Sequence, residues 1–247
     1  MSILQKKRSL VKAKVYGLLM HFGREKPILW FWKLKGQNVD YLEKPRLAER
    51  FETIYKNNVW TERRQSESAS GHGSTTLATQ QLVRELPNLL EKIGAESLVD
   101  LGCGTYLWMR NVNLRQLYIG VDIVASVIED NKNRYQDDRH RFQVLNGCCD
   151  PIPDADAILC REVMFHLSFH DAKCLLQNVK RSKAKYFICT TDPTTEVNAN
   201  VPSGAWRDIN LEREPYSFRP PIMTINDGVR DNAARVLGVW LVTSLPS

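Results

Sequence analysis

Hydrophobic and polar positions divide much of the chain into short apolar runs that alternate with longer amphipathic stretches. From Ser97 onward, the apolar runs predict strands, and the stretches in which apolar residues recur every three or four positions predict helices. The predicted strands lie near 97–101, 117–122, 141–145, 155–160 and 185–190, and the predicted helices near 105–111, 124–135 and 168–180. Repeated strand–helix units of this length predict an α/β fold with a doubly wound, mostly parallel sheet.

Further elements are predicted on either side of these units. Residues 222–225 and 237–243 suit two closing strands, which would bring the sheet to seven. Ahead of the sheet, helices are expected near 45–60 and over about 75–93. A long polar segment over about 191–221 follows the fifth strand, and connections of that length are often binding loops or lids.

Charge is distributed unevenly along the 247 residues. The formal net charge is +6, but residues 1–35 hold nine Lys and Arg against one acid and therefore contribute +8. The remainder contributes −2, so no general nucleic-acid-binding surface is expected. In residues 1–35, which we call the basic lead, lysines beside aromatic residues suit a peripheral contact with anionic lipid headgroups. The alternative is a helix that only covers the hydrophobic core. We predict a basic, helical extension over 1–64 and a sheet domain over 65–247.

Cysteine usage and hydropathy bear on the compartment. The six cysteines form no CxxC pair and share no zinc-finger spacing with the histidines, so reduced thiols and no metal site are expected. No uninterrupted apolar run approaches the ~18 residues of a membrane span. These features predict a cytoplasmic protein. The basic charge of residues 1–35 further predicts a peripheral contact of this protein with the inner face of the membrane.

The most informative stretch joins the first predicted strand to a glycine turn. Asp100 precedes Gly102 and Gly104, and Asp122 ends the next predicted strand. Such a turn lets a nucleotide-type ligand approach the backbone, and the second acid suits ribose hydroxyls. A dinucleotide would need a third glycine where this chain has Leu107, and a carboxylate ahead of the turn would repel its pyrophosphate. These residues favour S-adenosylmethionine, which is cationic and carries no phosphate.

Three motifs resemble those of class I S-adenosylmethionine-dependent methyltransferases. They are the D-L-G-C-G turn at 100–104, the Y-I-G-V-D run at 118–122 and the D-x-x-x-x-R-x-x-x-x-H-L pattern at 156–167. The resemblance covers roughly residues 65–245 and points to a bacterial subgroup with few characterised members. It implies a Rossmann-like, seven-stranded sheet and methyl transfer from S-adenosylmethionine.

The turn and the resemblance together predict the cofactor-binding residues. Asp122 is the expected ribose ligand, and Asn146 stands where the family often has the acid that accepts the adenine amino group, with Asp150 as the alternative. The Ser/Gly loop ahead of the 75–93 helix is expected to close over the methionine end. The predicted set is Asp100, Gly102, Cys103, Gly104, Tyr106, Trp108, Asp122, Ile123, Asn146, Arg161, Ser70, Gly71 and Ser74.

Catalytic and acceptor-binding residues are predicted near the exit of the fourth strand and in the long loop. His166 is the expected base, since an unperturbed imidazole titrates near pH 6.5, and a packing or capping role is the alternative. Arg161 and Glu162 lie beside the expected methyl position, where Arg161 would hold an anion or pair with a neighbouring acid. The predicted acceptor-binding residues, whose amides, guanidinium and aromatic face suit a hydroxyl-rich molecule, are His72, Asn198, Asn200, Trp206 and Arg207.

These interpretations predict an O-methyltransferase. Its acceptor would be a small polar molecule or a saccharide, as in glycan or natural product biosynthesis. One alternative is a methyltransferase that acts on RNA or protein, with the basic lead as a docking arm. Another is a non-catalytic protein that binds the cofactor.

Overall fold

The computed structural model of the protein describes residues 15–20, 25–62, 68–228 and 234–246, and within these ranges seven strands form one sheet. The strand order is β3-β2-β1-β4-β5-β7-β6. The first five strands pair in parallel, and β7 runs antiparallel to both β5 and β6. The strands are β1 (Ser97–Leu101), β2 (Leu117–Asp122), β3 (His140–Val144), β4 (Ala157–Cys160), β5 (Tyr186–Thr191), β6 (Met223–Asn226) and β7 (Val236–Leu241). The predicted Rossmann-like, doubly wound, seven-stranded sheet is confirmed.

Helices precede the sheet and connect its strands. Residues 15–20 are helical. The other α-helices are α1 (Glu25–Leu34), α2 (Leu47–Lys56), α3 (Val59–Glu62), α4 (Thr76–Lys92), α5 (Ala125–Tyr135) and α6 (Phe169–Arg181). Thr75 caps α4 by accepting the amide of Ala78, and Ser168 caps α6 by accepting the amide of Asp171. No helix of the described ranges is long and apolar enough to cross a membrane.

The two faces of the sheet build two hydrophobic clusters. Val99 and Ile158 belong to one cluster, and Leu98 and Leu159 belong to the other, because successive strand residues point to opposite faces. Strand β4 is buried along its whole length. A strand covered on both faces reads as a continuous apolar run, which is why the central strands were recognisable in the sequence.

Two predicted helices differ from the structure because of left-handed residues. The helix expected near 105–111 is only a 3₁₀ turn at Met109–Asn111. Tyr106 has φ 58°, and such a residue cannot continue a right-handed helix. Likewise, the helix expected over 45–60 is divided into α2 and α3, where Asn58 has φ 51°.

The helices ahead of the sheet share its core. Leu29 of α1 and Phe51 of α2 belong to the same hydrophobic cluster as Val99 and Ile158 of the central strands. The helical part of the predicted extension therefore packs directly on the sheet. The proposed boundary between residues 64 and 65 stays a prediction, and the basic stretch over 1–14 lies outside the described residues.

Candidate cofactor and active site

A cavity opens at the carboxyl ends of β1, β2 and β4, where doubly wound sheets bind ligands. The space between its walls is about 910 Å³, open solvent at the mouth included. The predicted site residues in its wall are Ser70, Ser74, Asp100, Gly102, Cys103, Gly104, Trp108, Asp122, Ile123, Asn146, Arg161, Glu162 and His166. The structure thus brings most of the predicted cofactor residues and all three predicted catalytic residues together.

The glycine turn lies between β1 and the loop ahead of α4. Gly102 and Gly104 have φ values of 80° and 54°, which favour glycine. The amides of Gly102 and Cys103 donate to the carbonyl of Val121 at 2.8 and 3.0 Å, which ties the turn to β2. A Cβ at Gly104 would collide with the hydroxyl of Ser70, so the turn and the loop can touch only because this residue is glycine.

Asp122 is held at the end of β2 by backbone amides. Its Oδ2 accepts the amide of Gly104 and its Oδ1 accepts the amide of Val124, each at 3.0 Å. Burial raises the pKa of Asp122, and the two amide hydrogen bonds oppose that rise. The carboxylate lies in the cavity wall and retains acceptor capacity, which fits a ribose with two hydroxyls.

Asp100 is a buried carboxyl whose titration is strongly shifted. Only 3% of the residue is exposed, and its Oδ2 accepts the phenol hydrogen of Tyr118 at 2.8 Å. Burial raises the pKa of Asp100 to about 7, although the Tyr118 hydrogen bond opposes the shift. A cation in the cavity would stabilise the ionised form of Asp100, so the site fits a positively charged ligand.

Arg161 belongs to a buried ion-pair network that reaches the far edge of the sheet. Its Nε and Nη2 donate to Oδ1 of Asp227 at 2.9 and 2.7 Å, and Nη2 also donates to the carbonyl of Gly73 at 2.8 Å. The guanidinium lies over the ring of Trp108, 5.3 Å from its centroid. Thr190 donates to the second oxygen of Asp227 at 3.1 Å. Arg161 thus pairs with a neighbouring acid, the alternative that the sequence left open.

Glu162 is fixed in an unusual backbone conformation at the exit of β4. It has φ 61°, its amide donates to Thr190 Oγ1 at 3.0 Å, and its carboxylate accepts from Arg235. Burial opposes ionisation, but the charges of Arg161 and Arg235 prevail and lower the pKa of Glu162. Its carboxylate occupies the space that a Cβ at Gly73 would need, so the loop ahead of α4 rests on Glu162.

His166 has a defined tautomer. Its Nδ1 lies 3.0 Å from the carbonyl of Ala205, which can only accept, so Nδ1 carries the hydrogen and Nε2 has a free lone pair. The ring packs against Trp60 with centroids 4.7 Å apart. Burial lowers the pKa of His166 to about 4, although the Glu162 carboxylate opposes the shift. The imidazole is therefore neutral at physiological pH and able to accept a proton at Nε2.

The loop ahead of α4 places two serine hydroxyls, of Ser70 and Ser74, at the cavity, and they differ in their hydrogen bonding. Ser70 Oγ accepts the amide of Thr105 at 3.1 Å and bonds to Tyr55 Oη at 2.9 Å, so this hydroxyl is already engaged. Ser74 also lies in the cavity wall, whereas Gly71 and His72 do not. Through Ser70, the loop thus supports the glycine turn. Ser74 is the serine of this loop that suits the methionine end of a cofactor.

Two further cofactor predictions need correction or refinement. Tyr106 is outside the cavity wall, because its left-handed backbone places the ring against Tyr118 and Phe142, each with a centroid separation of 5.1 Å. Asn146 is in the wall, but its Oδ1 already accepts the amide of Cys148 at 3.0 Å. Asp150 lies outside the wall and accepts the amide of Asn146 at 2.7 Å.

None of the five predicted acceptor-binding residues lines the cavity. Asn198 donates to the carbonyls of Asn210 and Glu214, and Asn200 accepts the first amide of α6. Arg207 donates to the carbonyls of Met164 and Phe165 and to Tyr216. Trp206 is 54% exposed and packs edge-on against Phe165. Asn198 thus stabilises the 191–221 loop internally, whereas Asn200 and Arg207 bond the loop to α6 and to the turn at 164–166, which composition alone did not reveal.

Sequence reasoning missed an aromatic wall that the N-terminal helices supply. Leu47, Phe51 and Tyr55 of α2 and Trp60 of α3 line the cavity. Their hydrophobic pattern predicted a helix, but apolar periodicity does not distinguish packing against a core from lining a ligand site. Asp227 and Arg235 were missed as well, because only the pairing of β6 with β7 and of β7 with β5 brings them to Arg161 and Glu162.

Comparisons with known proteins agree with this geometry. Residues 99–185, about a third of the chain, match a family described as a methyltransferase domain. Human N-acetylserotonin methyltransferase in complex with S-adenosylmethionine aligns with a TM-score of 0.55 and 13% identity, covering 90% of this chain and 68% of that one. This likeness shows a shared fold. Comparison with curated proteins gave no significant match.

Two other solved structures align less closely. The magnesium protoporphyrin IX methyltransferase of Synechocystis with bound S-adenosylhomocysteine has a TM-score of 0.49 and 15% identity, covering 66% of this chain and 83% of that one. The methyltransferase domain of a bacterial Hen1 has a TM-score of 0.47 and 18% identity, covering 66% and 99%.

The sheet order and the buried carboxylates define an α/β protein whose cavity, at the carboxyl ends of its strands, fits a cationic nucleoside cofactor. Together with the family match, they show that residues 99–185 lie in a methyltransferase domain. S-adenosylmethionine, which the human N-acetylserotonin methyltransferase binds, is a cofactor of this kind.

Proposed function

We propose that the protein transfers a methyl group to a hydroxyl of a small molecule bound in this cavity. The observation that carries the proposal is the wall that α2 and α3 place over the site, with the side chains of Phe51, Tyr55 and Trp60. An acceptor has to fit beside the cofactor beneath the chain's own helices. This supports a small acceptor over RNA or protein, and a nucleic-acid partner is not part of the proposal.

The residues that would hold the cofactor follow from the wall. Asp122 suits the ribose hydroxyls, Asn146 the adenine edge and Asp100 a cationic group of the methionine part. Ser74 suits the carboxylate at the same end. When bound, S-adenosylmethionine supplies a methyl group on a positively charged sulfur.

His166 would act as the general base that takes the proton from the acceptor hydroxyl. Its Nε2 is unprotonated at neutral pH, and the Ala205 carbonyl and the ring of Trp60 hold the imidazole in one orientation. Glu162, whose charge acts on His166, is already bound by Arg235 and is assigned to positioning. Alignment of acceptor, methyl and sulfur supplies most of the acceleration, and the base assists an oxygen nucleophile.

The acceptor class that the wall supports is a ring that carries a hydroxyl. Tyr55 and Trp60 line the cavity, and aromatic side chains pack on both sugar and aromatic rings, so saccharide and natural-product acceptors both fit. The amides predicted to bind a hydroxyl-rich acceptor do not support a saccharide, because Asn198 is bonded within the 191–221 loop and Asn200 is bonded to the first amide of α6.

A peripheral location completes the proposal. We place the protein in the cytoplasm, with residues 1–35 in contact with the inner face of the membrane. The support is the +8 charge of this stretch and the exposed aromatic residues of α1.

Calorimetric titration with S-adenosylmethionine and S-adenosylhomocysteine tests the proposed function. Asp122→Ala should bind both about tenfold or more weakly, because hydrogen bonds to a charged acceptor contribute about 1.5–3 kcal/mol each. Asp130→Ala, at an exposed acid of α5, is the control and should bind as wild type does. If the wild type binds neither compound, every enzymatic interpretation is wrong. If Asp122→Ala binds them as tightly as the wild type does, Asp122 is not the ribose ligand.

The role of His166 predicts an unusual pH dependence. Because the pKa of His166 is about 4, turnover should show no acidic limb from this residue between pH 6 and 8, unlike an ordinary histidine base. His166→Ala should lower kcat by about a hundredfold to ten-thousandfold. His170→Ala, at an exposed histidine of α6, serves as the matched control. Unchanged turnover in His166→Ala across this range would eliminate His166 as the base.

A further inference from the structure

Exposed apolar side chains concentrate on one part of the described surface. Of eleven large hydrophobic residues exposed there, five lie within residues 15–34. On α1, Trp30 and Leu34 are each 65% exposed and Phe31 is 41% exposed. Spacings of three and four residues place these side chains on one face of the helix. Val15 and Leu18, on the preceding helical segment, are 49% and 61% exposed.

Helix α1 is held firmly by its opposite face. Ile28 and Leu29 are 1% and 4% exposed, and Leu29 joins the main hydrophobic cluster. Trp32 donates from Nε1 to the hydroxyl of Tyr16 at 2.9 Å, and the two rings meet edge to face. The outward face with Trp30 and Leu34 is therefore displayed by an anchored helix.

The stretch of sequence that carries this face, residues 1–35, is basic. Lys26 and Lys35 are exposed on or beside α1, and Nζ of Lys35 lies 4.5 Å from the centroid of the Phe31 ring. Lys33 pairs with Asp40 and Glu43 and is thereby neutralised. Residues 1–35 as a whole contribute +8, against −2 for the rest of the chain. An anionic occupant is favoured, and a second copy would bring the same +8 against this charge.

We infer that the outward face of α1, formed by Trp30, Phe31 and Leu34, docks into the headgroup region of a bilayer rich in anionic lipid. Tryptophan, phenylalanine and leucine on one face with lysines beside them are the composition of helices that lie in the plane of an interface. Each basic residue near such a surface adds attraction, which falls off within a Debye length. The inference rests on the proposed membrane contact and is independent of methyl transfer.

Flotation of the full chain with vesicles tests the docking face. The probes are phosphatidylcholine vesicles with and without about 30% phosphatidylglycerol. We expect at least about tenfold tighter binding to the anionic vesicles, and a steep loss on raising salt from about 0.05 to 0.5 M. Trp30→Ser/Leu34→Ser should bind the anionic vesicles about tenfold or more weakly, since each side chain loses apolar burial. Leu77→Ser, at a leucine of α4 that is 61% exposed, is the matched control and should bind as wild type.

Three results would overturn the inference. One is equal binding to neutral and anionic vesicles. Another is wild-type vesicle binding by Trp30→Ser/Leu34→Ser. The third is a wild-type dimer in light scattering that the same variant dissociates, which would assign the face to a second copy. Thermal melting and calorimetry with S-adenosylmethionine should match wild type for both variants, so failure of docking is separate from failure of the proposed methyl transfer.

Discussion

Asp227→Ala is expected to lower the free energy of unfolding by about 3–5 kcal/mol, because it removes the hydrogen-bonded partner of a buried charge, that of Arg161. Asp227 has no exposed side-chain surface and accepts two hydrogen bonds from Arg161, whereas the nearest carboxylate oxygen of Glu162 is 3.8 Å from this guanidinium. For a chain of this length, the loss corresponds to a melting temperature lower by about 6–20 °C. Differential scanning calorimetry measures it directly.

An exposed ion pair provides the control. Asp154 and Lys183 are 2.6 Å apart, with side chains 65% and 78% exposed, and Asp154→Ala should cost no more than about 1 kcal/mol. Replacing both buried partners, as Arg161→Met/Asp227→Leu, should recover much of the loss, since neither partner is left as an unpaired buried charge. Equal melting temperatures for Asp227→Ala and Asp154→Ala would show that the buried network contributes no more than the exposed pair.

The second large effect concerns Asp100, where stability and cofactor binding should respond in opposite directions. The pKa of Asp100 is about 7 in the fold, against 3.8 ordinarily, so ionisation of Asp100 destabilises the folded state. The cost is absent below pH 3.8, grows as pH rises to about 7 and then stays constant at about 4 kcal/mol. Asp100→Asn removes this cost while keeping an acceptor for Tyr118. The variant should therefore melt higher than wild type at pH 8, with little gain near pH 4.

The same variant should bind S-adenosylmethionine about tenfold or more weakly at pH 8, because the cofactor loses an anionic partner for its cationic groups. For the wild type, affinity should fall as pH decreases through about 7, where Asp100 becomes protonated. Calorimetry at several pH values measures both effects. Binding by Asp100→Asn as tight as that of wild type, with no pH dependence in either protein, would show that Asp100 makes no contact with the cofactor's charge.

Much of the cofactor-binding part of the site was predictable from the sequence, because its residues lie close together in the chain or at the ends of adjacent strands. Asp100, Gly102 and Gly104 lie within five residues, so one strand and one turn place them together. Asp122 ends the adjacent strand, and parallel strands present their carboxyl ends at the same edge. For these residues, hydrophobic patterning and turn chemistry were sufficient to predict where they would meet.

The part of the site that would bind the methyl acceptor depends on contacts between residues that are distant in sequence. Asn198 and Arg207 have the composition of a binding loop, yet they donate to backbone carbonyls, of Asn210 within that loop and of Met164 outside it. Conversely, Tyr55 and Trp60 looked like core residues of a helix, yet they line the cavity. Residue type shows which bonds a side chain can make, but only the packed chain shows which bonds it has already made.

The sequence by itself determined the sheet, the glycine turn and the class of cofactor, because each follows from periodicity or from neighbouring residues. Only the tertiary structure decided that α2 and α3 cover the cavity, that Asp227 and Arg235 hold Arg161 and Glu162, and that His166 is neutral. These features arise from burial and from pairing across long sequence separations. Desolvation and long-range ion pairing depend on the packed neighbours of a group, which a linear pattern does not contain.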